Sequence, residues 1–259
     1  MMRSLKSLAL AAGLLAGFGA APVRAAGDHS APKLPEVNFP FEGMFGHYDY
    51  GALQRGFGVY KQVCSNCHGL RLLSYRDLRQ VGFSAAQVAA VASTVQVQDG
   101  PNDDGQMYER AGRASDRFKS PFANEKAARA ANNGALPPDL SVISKAREGG
   151  ASYIYALLTG YVDPPAGVTL MPGMNYNTYY PGHQIGMAAP LTSDGQVEYA
   201  DRTKPTVDQM ARDVASFLAW AAEPEMEERK SMGVKILIFL AVLGGLAYSV
   251  KRKIWAHVH

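Results

Sequence analysis

Cysteine is almost absent: there are two in 259 residues, Cys64 and Cys67. Three positions apart, they would close only a tiny loop as a disulfide, so no disulfide framework holds this fold and the pair's purpose is chemical. Acidic residues are missing from both ends. Residues 1 to 25 carry Arg3, Lys6 and Arg24 without one acid, and residues 231 to 259 carry Lys235, Lys251, Arg252 and Lys253 in the same way. Of the 26 basic side chains, 19 are left for the middle against all 23 acidic ones, so the formal +3 conceals an acidic body. That removes the support for nucleic-acid binding that a basic chain would lend. No repeat of solenoid length is present, and strand-like alternation is scarce. With 47% hydrophobic and 19% charged residues the chain suits one medium globular domain or two small ones, and 26 Gly with 15 Pro predict many loops.

Long apolar runs are confined to two places. Arg3 and Lys6 precede the run Leu8 to Ala21, and Val23-Arg24-Ala25 places small residues before a cleavage point, which reads as a signal peptide over 1–25. From Met232 to Val250 the only charge is Lys235, near the start, and 19 residues of helix span about 28 Å. Lys251, Arg252 and Lys253 follow at once, with Tyr248 and Trp255 placed as interfacial aromatics. The positive-inside bias then puts 251–259 in the cytoplasm, 231–250 in the membrane and 26–230 on the exported side. A buried core helix is the alternative for the second run.

The exported body is expected to be mainly α with long irregular loops. Proline marks an extended lead-in over Asp28 to Pro40. Asp49 predicts a helix start, with Leu53, Phe57, Tyr60 and Cys64 on one face; Gly56 and Gly58 weaken that helix unless another approaches closely. Capping-box pairs Ser84/Gln87 and Thr206/Gln209 predict helices to Ser93 and Ala222. Asn124–Ala131 and Ser152–Thr159 are shorter candidates. Gly, Pro and Asn concentrate in Asp99–Gly105, Asn132–Pro138 and Pro164–Gly186, which read as loops.

Cys64-Ser65-Asn66-Cys67-His68 fits CxxCH, the attachment signature of a c-type haem. Two thiols a helical turn apart can each add to one vinyl group, and the adjacent imidazole then meets the iron from one face. The expected cofactor is one covalently attached haem c. A redox-active dithiol, with His68 coincidental, is the rival reading; zinc would need distant His47 or His183 as further ligands. A methionine thioether on the other face would close the iron and raise its potential, which suits electron transfer. Spacing leaves Met171, Met174 and Met187 open.

The segments FGVYKQVCSNCHG (Phe57–Gly69), RAANNGALPPDLS (Arg129–Ser141), LLTGY (Leu157–Tyr161), YPGHQIGMAAP (Tyr180–Pro190) and VASFLAWAAEPEMEERK (Val214–Lys230), in this order, resemble the cytochrome c1 family. The resemblance covers nearly all of the mature chain. It implies a cytochrome c-like haem domain on a single C-terminal transmembrane helix. It also implies His68 and Met187 as axial ligands, the Pro138 carbonyl as partner of the imidazole's other nitrogen, and Arg147 and Tyr153 as propionate partners. Phe57 and Tyr60 should pack on the helix bearing Phe217 and Trp220. The implied function is electron transfer within a ubiquinol–cytochrome c oxidoreductase, with no bond of a substrate broken on this chain, so that it is not an enzyme alone. Cytochrome b and a Rieske iron–sulfur protein would be its partners in a dimeric membrane complex, and a soluble c-type cytochrome its acceptor. Some relatives carry a disulfide in the loops between the ligands; here Pro172, Pro181 and Pro190 with packing are expected to hold the Met187 loop. Five acids against two bases over Asp99–Asp116 form a candidate docking surface for a basic acceptor.

Overall fold

A computed structural model of the protein describes residues 32–256. The signal-peptide reading of 1–25 and the last three residues of the tail lie outside the described residues. Helix α1 spans Tyr50–Gln62, and the Asp49 carboxylate accepts the amides of Gly51 (2.9 Å) and Ala52 (3.2 Å), as a cap should. Leu53, Phe57 and Tyr60 are buried on the expected face. The helix stops before Cys64. Ser65 Oγ donates to the Lys61 carbonyl at 2.7 Å and Asn66 Nδ2 to that of Val63 at 3.2 Å, so side chains take over the last turn's acceptors and the chain tightens into a 3-10 turn over Cys64–Asn66.

A second 3-10 helix, Tyr75–Val81, was not foreseen; the Asp77 carboxylate accepts the Ser74 amide at 2.7 Å at its start. Helix α2, Ala85–Ser93, has both halves of its Ser84/Gln87 capping box. Strands β1 (Gln96–Asp99) and β2 (Tyr108–Ala111) form an antiparallel pair with Gln96 opposite Ala111. Helix α3 is Glu125–Ala131 behind the Asn124 cap, and α4 is Gly150–Thr159, beginning before Ser152 because Gly149 turns the chain in at φ +82°. A two-residue pair follows, β3 (Asn175–Tyr176) with β4 (Gln184–Ile185). The loop reading of Asp99–Gly105 holds but for Asp99, the last residue of β1, whereas that of Pro164–Gly186 is corrected at β3 and β4, two residues each and too short for alternation to show.

Helix α5, Val207–Ala222, buries Met210, Val214, Phe217, Leu218, Trp220 and Ala221. Its expected capping box is only half made: Thr206 Oγ1 accepts the Gln209 amide at 3.1 Å, but the Gln209 side chain turns to Asp213 (3.0 Å). Helices α1 and α5 meet at Gly56, where a Cβ would lie 2.6 Å from the Asp213 carbonyl carbon and 2.7 Å from Phe217 Cβ. Close approach therefore accounts for Gly56 but not Gly58, whose only neighbour would be Gln62 at 3.8 Å. Around that crossing Phe217 packs against Phe57 (5.7 Å between centroids), Tyr60 (5.9 Å) and Trp220 (5.6 Å), in the tilted arrangements aromatic pairs favour.

Helix α6 runs unbroken over Met226–Trp255, starting above the expected anchor and continuing through it. Its apolar side chains from Ile236 to Leu246 are exposed, as they are not in a core helix, and it is long and apolar enough to cross a membrane.

Candidate haem site

Cys64 and Cys67 are free and half-buried at the two ends of the 3-10 turn that follows α1. The amides of Cys67 (3.1 Å) and His68 (2.9 Å) both return to the Cys64 carbonyl, so two thiols and an imidazole leave one tight turn. Burial, and after it the neighbouring Cys67, pushes the Cys64 thiol up to about 12.

His68 Nδ1 lies 2.7 Å from the Pro138 carbonyl oxygen. A carbonyl only accepts, so Nδ1 carries the proton and donates, leaving the Nε2 lone pair free. Burial holds His68 below the ordinary histidine range, against the opposing influence of the Pro138 carbonyl and the Asp139 charge. A neutral imidazole with one committed nitrogen is the form that ligates a metal.

The Pro138 turn is itself fixed to the residues after His68. Asp139 accepts the amides of Arg71 (2.9 Å) and Ser141 (3.0 Å), Ser141 Oγ accepts that of Leu72 (3.1 Å), and the Leu140 amide reaches the Gly69 carbonyl at 2.9 Å. Gly69 leaves room for this: a Cβ there would stand 3.0 Å from Asp139 Oδ2. The Tyr60 hydroxyl donates to the His68 carbonyl at 3.0 Å and ties the turn back to α1.

Met187 follows β4, and two donors grip its carbonyl: the Tyr161 hydroxyl at 3.1 Å and Asn175 Nδ2 at 3.3 Å. Behind them sits Asn177, fully buried, whose side-chain amide donates to the Leu157 carbonyl (2.8 Å) while its oxygen accepts the amides of Tyr179 (3.0 Å) and Tyr180 (3.2 Å). Gly160 permits this closeness, since a Cβ would be 3.0 Å from Asn177 Oδ1. Hydrogen bonds to the end of α4 therefore add to the prolines that were expected to hold this loop. Sequence reasoning missed Tyr161, Asn175 and Asn177, although LLTGY contains one of them.

The two halves meet. A Cβ on Gly186 would stand 3.3 Å from Ala135 Cβ, which brings the residue before Met187 against the segment that carries Pro138. Met174 is close by, its sulfur 3.9 Å from that same position, whereas Met171 is 56% exposed. Arg147 is exposed, its guanidinium reaching the Ala146 carbonyl at 2.9 Å. Tyr153 is half-buried; burial raises its phenol, and the charge of nearby Arg147 acts in the opposite sense. A haem fits this donor set: two thiols for vinyl groups, one neutral imidazole, and thioethers on a loop that closes against the histidine's own support.

Tyr161→Phe removes one of the two donors to the Met187 carbonyl. It is expected to cost about 1 kcal/mol, the net worth of one such bond, and the double variant with Asn175→Ala about 2 kcal/mol because the carbonyl then has no partner. Faster amide exchange across Asn175–Met187, with α1 unaffected, is the measurement that checks it.

Comparison with known proteins extends the likeness along the chain. A family model described as Cytochrome C1 family matches residues 39–258. The "Cytochrome c1" of Rhodospirillum rubrum is 42% identical over 274 residues, covering 100% of this chain and 99% of that one. "Cytochrome c1 1, heme protein, mitochondrial" of Arabidopsis thaliana is 51% identical over 218 residues, 83% of this chain and 71% of its own length. The "Cytochrome b/c1" of Bradyrhizobium diazoefficiens is 48% identical over 254 residues; the alignment takes in 90% of this chain but only 37% of that longer protein. Because the match runs from the first buried aromatics into the apolar C-terminal helix rather than stopping at CxxCH, the chain belongs to the cytochrome c1 family.

Proposed function

We propose that this chain is the electron-transfer subunit of a ubiquinol–cytochrome c oxidoreductase, taking an electron from a Rieske iron–sulfur protein and handing it to a soluble c-type cytochrome. The observation that carries the reading is the 2.7 Å bond from His68 to the Pro138 carbonyl, which commits one ring nitrogen and leaves the other to the iron. Cys64 and Cys67 would hold the single haem c covalently. Met187 would supply the second axial ligand, and Arg147 with Tyr153 would meet the propionates, an arginine for charge and a phenol for a hydrogen bond. Haem, when bound, supplies a one-electron iron couple. The chain's own part is to keep the imidazole neutral and oriented, to close the Met187 loop, and to exclude water. It breaks no substrate bond, so it is a subunit of an oxidoreductase rather than an enzyme by itself.

The same reading takes 1–25 as a signal, 26–230 as a periplasmic haem domain, 231–250 as the single membrane anchor and 251–259 as a cytoplasmic tail at a bacterial inner membrane. Cytochrome b would flank the anchor in a dimeric complex. The relatives named "Cytochrome b/c1" in Bradyrhizobium diazoefficiens and "Cytochrome b-c1 complex catalytic subunit, mitochondrial" in Candida albicans support that placement. Purification in mild detergent is the test. Cytochrome b and an iron–sulfur protein are expected to come with the chain, and its haem to survive acid–acetone extraction. A coloured chain purifying alone would make it a tethered free carrier, and a colourless one would return the dithiol reading.

The acidic stretch is smaller than its composition suggests. Arg110 bridges Asp99 and Asp116, holding the Asp116 carboxyl down at about 2, so the other charges facing outward are Asp103, Asp104 and Glu109 against Arg113. Replacing Asp103 and Asp104 by Asn should slow association with a basic cytochrome several-fold at low ionic strength, the difference vanishing as salt rises. Stopped-flow rates at two salt concentrations decide it, and equal rates would remove this hairpin from the docking site.

A further inference from the structure

The lead-in to α1 makes a tight turn beside the top of α6. The His47 amide closes it on the Pro40 carbonyl at 3.1 Å, and Gly43 turns at φ +73°. At its tip Met44 is 64% exposed and Phe45 76% exposed, an uncommon use of two large apolar side chains in a soluble turn.

Contacts with α6 fix the direction in which that tip points. The Tyr48 hydroxyl donates to the Glu223 carbonyl (3.2 Å), just before the helix, and the Tyr48 amide to Glu227 Oε1 (2.7 Å). Lys230 Nζ donates to the carbonyls of Gly46 (3.2 Å) and Phe41 (2.7 Å). As residue numbers fall from 48 to 46 the partners move from 223 to 230, so the turn descends alongside the helix toward Met232, where the apolar span begins. Two residues of helix separate Lys230 from Met232, about 3 Å of rise. With α6 as the membrane anchor, the tip would stand at the height of the lipid headgroups on the side of the haem domain.

The helix lacks an aromatic anchor at that end. Tyr248 and Trp255 serve the other end, whereas the first aromatic after Met226 is Phe239, well inside the span. We infer that Met44 and Phe45 insert into the outer membrane–water interface, so that the haem domain is held to the lipid surface at a second point beside its anchor helix. Two attachments, joined through Lys230, would fix the tilt of the domain on its stalk, which a single helix leaves free. The inference rests on the reading of α6 as a membrane anchor.

Spin labels on Phe45→Cys and Met44→Cys test it, in the haem-loaded full chain within the assembly it purifies with, reconstituted in phosphatidylcholine–phosphatidylglycerol vesicles. Leu243→Cys in the span and Gln106→Cys on the exposed hairpin serve as references. The expected result is an oxygen-to-nickel-chelate accessibility ratio at 44 and 45 several-fold above that at 106 and approaching that at 243. A ratio equal to that at 106 means water and overturns the inference while the anchor stands. Low access to both reagents means that a protein subunit covers the turn and overturns it equally. A water-like label at 243 defeats the anchor reading itself. Label found on this chain itself, after separation from its partners, without any added cysteine would mean that Cys64 and Cys67 are not in thioethers, a failure of the haem reading alone.

Discussion

Met187→Leu is expected to leave the haem attached, to let the ferrous iron bind carbon monoxide, and to lower the midpoint potential by roughly 0.2 V or more, part of the approximately 0.8 V that axial ligation commands. The two consequences have one origin. On the proposed reading the Met187 thioether would ligate the iron and favour its reduced form, and leucine keeps the volume while removing the sulfur. Attachment would depend on Cys64 and Cys67, which the substitution leaves untouched, so the reduced spectrum should still show a c-type haem. The grip of Tyr161 and Asn175 is on the Met187 carbonyl, not its side chain, so the variant loop should keep its course. That is what makes the substitution informative: potential and ligand access change while the fold does not. Met174, with its sulfur close to Gly186, is the residue to examine next if the variant retains its potential and stays closed to carbon monoxide.

Asp213→Ala should be the most damaging single change outside the haem site. Asp213 is 1% exposed, on α5 at its crossing with α1, and Arg55 holds it in a fork at 2.9 and 3.0 Å. Arg55 also reaches Asp201 at 2.7 Å and lies 5.9 Å over the Tyr199 ring. Burial pushes Asp213 up, while its bonds to Arg55 and Gln209 pull it back; the same fork with Asp213 raises Arg55. Removing the carboxylate leaves a guanidinium between two helices with one partly exposed partner. The cost is about 3–5 kcal/mol, a third or more of a typical domain's stability, and about 10 °C in Tm. Circular dichroism melts of the haem-loaded protein check this. Adding Arg55→Met should recover part of the loss, since an apolar pair avoids the unpaired charge. A double variant no better than the single one would show that packing at Gly56, rather than charge, sets the effect.

What could be read in advance was what adjacent residues decide. Asp49, Ser84, Asn124 and Thr206 each announce a helix within a few residues, and the stripe on α5 lies buried as its 3.6-residue period requires. Local rules failed where a distant partner competed. Gln209 gives up its capping role because Asp213 needs a donor in the core, and Arg110 engages two acids of a stretch that reads as a charged surface, neutralising one of their two charges. Gly56 and Gly58 look alike in sequence, yet only one faces α5.

At the candidate site the same division holds. CSNCH sits within five residues, so its chemistry is written in the chain itself: thiol spacing matches vinyl spacing without help from the fold. The apolar run after Lys230 likewise needs only hydropathy and length. The support for Met187 had no such signature, because Tyr161 and Asn175 reach a carbonyl 26 and 12 positions away, and every residue owns a carbonyl. Sequence alone determined which groups are available, two thiols, an imidazole, three candidate sulfurs and an anchor. Folding decided which nitrogen of His68 stays free, which loop leans on Pro138's segment, and how a two-residue apolar tip comes to rest beside Lys230. Those outcomes depend on where backbone acceptors meet in space, a property that belongs to the assembled chain and to no local stretch of it.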